Sequence, residues 1–214
     1  MSKKLISLTL SVIMMFSFVS VMAEETQSDF STIIKYGIMQ TDQSGSLNLE
    51  KDITRGDMAQ FVMNALGLGT LEYTGVEEAF SDVPKDHASY NAVMQARSLG
   101  IVEGNGDGTY APDRRISYAE ALKMIVIALG YDPLAQSRGA WQLGYLTVAN
   151  TLGLTEGINS VTDDYIPARH IAAMLENAMN APIMAQTGFG SQNEYTILDG
   201  SAGTELVTLK DNLE

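Results

Sequence analysis

TRGDMAQFVMNALG, residues 54–67, and SYAEALKMIVIALG, residues 117–130, decide the fold. In the first stretch Met58, Phe61, Val62, Ala65 and Leu66 fall at i, i+3, i+4, i+7 and i+8, and in the second Ala121, Met124, Ile125, Ala128 and Leu129 repeat the pattern. That spacing marks one apolar face of an α-helix. Each stretch opens on a hydroxyl followed three residues later by a carboxylate, Thr54 with Asp57 and Ser117 with Glu120. The pairing predicts a reciprocal cap that satisfies two otherwise open N–H donors at each helix start.

The two stretches belong to a longer repeat. A shift of 63 residues also superposes Gly37-Ile38 on Gly100-Ile101, Gly45 on Gly108 and Ile53 on Ile116. A third, more divergent copy has Gly153-Leu154 in the Gly-Ile place, Ile166 in the place of Ile53, and Ile171, Met174, Leu175, Ala178 and Met179 as its helical face. Pro167 suits the first helical position of that copy. Each copy reads as helix, turn-rich loop, helix, with first helices expected over 29–36, 87–99 and 139–152. Gly37, Gly100 and Gly153 stand where a left-handed cap ends those helices, each trailed by an apolar residue that can fold back. Helices this short hold only when packed on neighbours, so the copies are expected to fold together as an all-α bundle.

Outward from the repeats, Lys3-Lys4, the apolar run Leu5 to Val19 and the small residue Ala23 have the order of an export signal, with cleavage after Ala23. The alternative is an uncleaved anchor, since Leu5 to Met22 nearly spans a bilayer. With no cysteine the chain carries no lipoprotein anchor, disulfide, thiolate metal site or cysteine nucleophile. A formal net charge of −13, more negative once Lys3 and Lys4 leave, argues against a nucleic-acid or anionic-membrane binder. The 45% hydrophobic and 18% charged composition is that of a globular chain.

In the second copy, FSDVPKDHASYNAVMQARSLGIVEGNGDGTYAPDRRISYAEALKMIVIALGY, residues 80–131, with ITRGDM at 53–58 in the first, resembles the S-layer homology family. That family's repeats carry F-x-D-V, a Trp-Ala near the first helix, a G-I turn, a D-G-T-F-x-P loop and a T-R-A-E helix start. The resemblance implies three repeats in a pseudo-threefold bundle, docking an exported protein non-covalently on the cell wall. Its implied partner is a secondary cell-wall polysaccharide, often bearing acidic pyruvate ketals, or a peptidoglycan-linked glycan, held in grooves between repeats. With no cysteine, two histidines and no organised catalytic motif, no cofactor, metal or catalytic step is expected.

The family's leading contacts are the Arg of T-R-A-E and the Trp of the first helix. The Arg position reads Arg55, Tyr118 and Ala168 in the three copies; the Trp position reads Ala88 in the second and Trp141 in the third. Arg55 and Trp141 match, and Tyr118 is a weaker candidate that can stack or hydrogen-bond. A guanidinium forks onto carboxylates and an indole face supports sugar C–H groups. From residue chemistry alone, Arg55 also reads as a solvated first-turn residue and Trp141 as a packing residue. At an exposed Arg55, substitution by Ala is expected to weaken wall binding by about 1.5–3 kcal/mol and leave stability nearly unchanged.

Two other function classes stay open: a structural or protein-interaction module with degenerate grooves, and a wall hydrolase built on Asp163 or Asp164, which lack any recognisable catalytic spacing. The Gly104–Gly108 run reads as a turn between helices. His87 is expected to be solvated or capping just before a helix, and His170 to sit in the first turn of the third copy's second helix. The expected organisation is a signal at 1–23, repeat one with its linker at 24–79, repeat two at 80–131, repeat three at 132–184 and a β-prone tail at 185–214. In that tail Glu194 to Leu198 and Glu205 to Leu209 read as short strands, and two strands alone do not stand in water. The two runs are expected either to pair as an appended hairpin or to open a larger domain, and residues 186–214 are expected to be mobile alone, continuing into further β structure or pairing with another subunit.

Overall fold

The computed structural model describes residues 30–76, 80–139, 141–158, 165–188, 194–197 and 206–214. The expected signal, Asp29 and the pair Asp163-Asp164 lie outside them. Along the described residues run helices α1 (Ser31–Lys35), α2 (Arg55–Ala65), α3 (Tyr90–Ser98), α4 (Tyr118–Ala128), α5 (Asp132–Ser137), α6 (Leu143–Thr151) and α7 (Ala168–Met179). They are followed by strands β1 (Met184–Gly188) and β2 (Glu194–Ile197), paired antiparallel. The chain is mostly helical with a short C-terminal sheet, as expected.

The helix boundaries have the local causes read from the sequence. Thr54 accepts from the Asp57 N–H while Asp57 accepts from the Thr54 N–H, and Ser117 and Glu120 repeat this reciprocal cap at α4. Pro167, with extended backbone, is the cap residue of α7 rather than its first helical residue. At the other ends Gly37, Gly100 and Gly153 have φ of +63°, +70° and +74°. The next residue's N–H then reaches back five residues, Ile38 to Ile33, Ile101 to Ala96 and Leu154 to Ala149, and all three apolar residues are buried.

Of the apolar faces read on α2, α4 and α7, only Leu66 and Ala128 fall short of full burial. Ala59, Met63, Leu122, Val126 and Ala172 are buried as well, so these helices lie inside the molecule rather than along one side of it. Helix α2 packs on α3, α4 on α6 and α7 on α1. The segments before α2, α4 and α7 meet in a ring of isolated bridges: Thr54 with Arg115, Ser117 with Tyr165, and Pro167 with Asp52. The ring supplies acceptors that a helix start lacks. Arg55 and Gly56 donate to the Arg114 and Pro112 carbonyls at 2.9 and 2.8 Å, and Ala168 and Arg169 donate to those of Lys51 and Leu49 at 3.0 Å. A Cβ on Gly56 would lie 2.4 Å from the Ser89 hydroxyl and 3.1 Å from the Pro112 carbonyl, so this close approach requires glycine.

Several boundaries differ from expectation. The first helices are shorter; α3 begins at Tyr90 because residues 84–89 form turns, with the His87 N–H donating to Pro84 and His87 Nδ1 accepting from the Ser89 N–H. Helix α6 begins at Leu143 rather than 139, since Gln142 has φ +61° and interrupts the spiral, and the separate turn-and-a-half of α5 precedes it. Strand β2 falls within the expected 194–198 run but pairs with β1 rather than with the described residues 206–209 of the second run. The reason lies in anchoring: the Met184 N–H donates to the Leu129 carbonyl at the end of α4, which presents β1 as the template. From the second expected run Thr208 makes one bridge, to Pro182, and Asp211 then caps Thr208 and turns the chain. Leu209 is buried and the Lys210 N–H donates to Met179, so residues 206–214 pack on the bundle rather than standing apart from it.

Candidate functional site

Arg55 is the first residue of α2, positioned by the Thr54 cap and by its own N–H bond to Arg114. Its side chain is directed into the second copy. Nε donates to the Tyr110 carbonyl at 2.9 Å, one terminal nitrogen to Glu120 Oε1 at 2.6 Å, and the other to the Glu103 carbonyl at 3.4 Å. The guanidinium lies 4.4 Å from the centroid of the Tyr110 ring. Arg55 is only 8% exposed, which corrects the expectation of an exposed or solvated first-turn residue. Its solvent has been replaced by an aromatic face, two carbonyls and a carboxylate from the facing loop and helix.

That facing surface is built by residues the second-copy motif singles out. Asp82 accepts from the Tyr110 and Ala111 N–H groups at 2.9 and 2.7 Å, holding the loop where Ala111 takes φ +59°. Phe80 stacks on Tyr110, with centroids 5.5 Å apart and planes 25° apart. The Gly104–Gly108 run is a turn, closed by the Asn105 N–H to Thr109 and by Asp107 accepting from the Thr109 N–H and hydroxyl. A Cβ on Gly104 would lie 2.6 Å from Phe80. Burial, against the pull of nearby Arg55, pushes the Tyr110 phenol up to about 12, so it stays protonated and donates to the Arg55 carbonyl at 3.1 Å.

Beside Arg55 opens a cleft of about 340 Å³. Its polar lining comprises Arg55, Glu103, Asn105, Glu120 and Lys123; Ile101, Val102 and Met124 supply the apolar part and Trp141 one rim. Trp141 is 49% exposed, meets Tyr145 edge-on at 6.5 Å, and has Lys123 Nζ 5.6 Å from its ring centroid. Lys123 also pairs with Glu103 at 3.3 Å. Trp141 sits in the turn before α6 rather than inside a helix. The fold therefore brings Arg55 and Trp141 into one cleft, although they come from different copies. Tyr118 is not among the cleft's lining residues: it is 6% exposed in the first turn of α4, and burial raises its phenol above the ordinary range.

Burial pushes the Glu120 carboxyl upward, but hydrogen bonds from Arg114 and the Ser117 N–H, together with the charge of Arg55, outweigh it and hold the group below the ordinary carboxylate range. Sequence reasoning assigned Glu120 to the cap alone and missed Glu103 and Lys123. The available signal was the i, i+3 spacing of Glu120 and Lys123, which puts both on one helix face.

A further cavity of about 120 Å³ is lined by Met39, Gln40, Asp57, Gln60 and Phe61, the first-copy counterparts of Val102, Glu103, Glu120, Lys123 and Met124. The arginine position that corresponds to Arg55 for this cavity is Ala168. In the third copy His170 occupies the place of Asp57 and Glu120, in the first turn of α7. Its Nδ1 is buried without a partner, and burial lowers its pKa.

Residues 79–122 match the model of the S-layer homology domain. The chain carries an S-layer homology domain. It is 33% identical over 138 residues to a cell surface protein of Thermoanaerobacter kivui, covering 64% of this chain and 18% of that relative. It is 30% identical over 171 residues to a surface layer protein of Brevibacillus choshinensis, covering 78% and 15%. Another relative, named an uncharacterized cell wall amidase of Bacillus anthracis, is 32% identical over 95 residues, covering 44% and 18%. The chain spans less than a fifth of the length of each of these relatives. The domain and these relatives together support a place outside the cytoplasm, at the cell wall or surface layer.

Proposed function

We infer that the chain is a wall-attachment module whose Arg55–Trp141 cleft binds a carboxylate-bearing secondary wall polysaccharide without covalent chemistry. The observation that carries this reading is the meeting of Arg55, Lys123 and Trp141 in one cleft between copies. A fork of donors and an ammonium suit an acid group, and a half-exposed indole suits the apolar face of the sugar that bears it. The ring of bridges and the closed series of helix contacts support a pseudo-threefold arrangement of the three copies, with this cleft between the first and second and Trp141 contributed by the third. Because the whole chain is acidic, capture rests on these local contacts rather than on long-range attraction.

The first-copy cavity lacks the same chemistry, since Ala168 brings it no guanidinium. We assign the chain no catalytic step, and the amidase-named relative shares less than half of it. Co-sedimentation of the exported chain with purified wall sacculi, before and after chemical removal of the secondary polymer, tests the proposal. Binding that disappears with the polymer supports it. Binding that ignores polymer removal points to protein or peptidoglycan contacts instead, and release of wall fragments would restore the enzyme reading.

A further inference from the structure

Arg55, the central donor of the cleft, already holds a carboxylate. Glu120 Oε1 accepts from Arg55 at 2.6 Å, so the position suited to a ligand's acid group is filled by the protein's own. The same oxygen accepts from Arg114 at 2.5 Å, and Oε2 accepts from the Ser117 N–H at 3.0 Å. Arg55 and Glu120 line the cleft; Arg114 does not. Arg114 approaches Glu120 from outside, with 38% of its side chain exposed against 19% for Glu120.

Resting on the carboxylate-binding reading above, we propose that Glu120 is a built-in competitor for Arg55, and that Arg114 is the positioning residue that lets it yield. An incoming carboxylate takes the Arg55 terminal nitrogen, while Glu120 keeps Arg114 and the Ser117 N–H. The exchange conserves charge: one Arg–carboxylate contact replaces another, and no buried carboxylate is left without a cation. Arg55 need not travel, because Tyr110 and the two carbonyls hold its plane in place. Remove Arg114, and every ligand that takes Arg55 strands Glu120 in a partly buried site, where an unpaired charge is costly. Arg114 therefore controls affinity without touching the ligand.

The test is a double-mutant cycle in the full chain, with binding to purified secondary wall polymer measured in native form and with its carboxyl groups reduced to alcohols. Gln at 120 can still accept the Ser117 N–H, so the cap of α4 survives. Glu120→Gln is expected to bind native polymer about fivefold more tightly, and Arg114→Gln about tenfold more weakly. The combined variant should recover the affinity of Glu120→Gln, since no carboxylate remains to strand. Arg114→Lys should stay near wild type, and the differences should vanish on reduced polymer. A purely structural Arg114 would not be rescued by Glu120→Gln. Failure of that rescue, or weaker binding by Glu120→Gln alone, overturns this inference while wild-type binding leaves the attachment function standing. Failure of wild type and every variant to bind overturns both.

Discussion

The Arg55 guanidinium rests 4.4 Å from the Tyr110 ring centroid while the Tyr110 hydroxyl donates back to the Arg55 carbonyl at 3.1 Å. The two residues, from adjacent copies, thus hold each other by stack and by hydrogen bond. Arg55→Ala should lower stability by about 2–4 kcal/mol in urea unfolding, because it removes a buried ion pair and the stack together. Arg55→Lys should recover only part of this, since an ammonium cannot reproduce the fork. A change within about 0.5 kcal/mol for Arg55→Ala would contradict the observed burial.

Trp141 should behave in the opposite way. With half of its surface in solvent, Trp141→Ala is expected to cost less than about 1 kcal/mol of stability yet weaken wall-polymer binding about tenfold. Isothermal titration beside thermal unfolding separates the two effects. A loss of folding would make Trp141 a packing residue.

Acid should act on Glu120 in a definite direction. Its folded-state pKa lies below the ordinary value, so its contribution is fully present above the unfolded carboxylate value of about 4.3 and is lost as pH falls through the lower folded value. Urea midpoints of wild type and Glu120→Gln should differ most near pH 6 and converge below pH ~3, where the carboxyl is protonated. A difference that grows with acid would reverse the sign and refute the assignment.

The C-terminal segment offers a contrast between two leucines. Leu209 is 2% exposed and Leu206 is 51% exposed. Leu209→Ala should cost about 2–4 kcal/mol, and Leu206→Ala less than about 0.5. Equal, small effects would show that the segment does not contribute to the bundle.

Local signals were legible in the sequence and long-range ones were not. The periodicity of Met58 to Leu66, the Thr54–Asp57 and Ser117–Glu120 pairs, and Gly37, Gly100 and Gly153 each act within one or two helical turns, and the structure follows them. Arg55 reads as exposed because a first-turn arginine normally is; its cover comes from Glu103, Tyr110 and Glu120, some 50 to 65 residues away, which no local pattern encodes. The family resemblance named Arg55 and Trp141 singly, but neither their meeting in one cleft nor the presence of Lys123 there. The strand partner at 184–188 was missed because its Met-Ala-Gln-Thr-Gly composition carries weak β preference. Its pairing depends instead on the Leu129 carbonyl, a tertiary contact.

The ring of bridges uses backbone atoms alone, and this separates the architecture from its chemistry. Ala168 donates its N–H to Lys51 at 3.0 Å just as Arg55 donates to Arg114 at 2.9 Å, although one side chain is a methyl and the other a guanidinium. The third segment, with Ala168 in the arginine's place, still makes both of its bridges, to the segments before α2 and α4. Position 168 thus tolerates a methyl without loss of the ring, whereas the buried Arg55 and Tyr118 also contribute packing. The backbone ring closes over all three segments whichever side chain stands beside it, and the scaffold does not depend on a charged residue at each helix start.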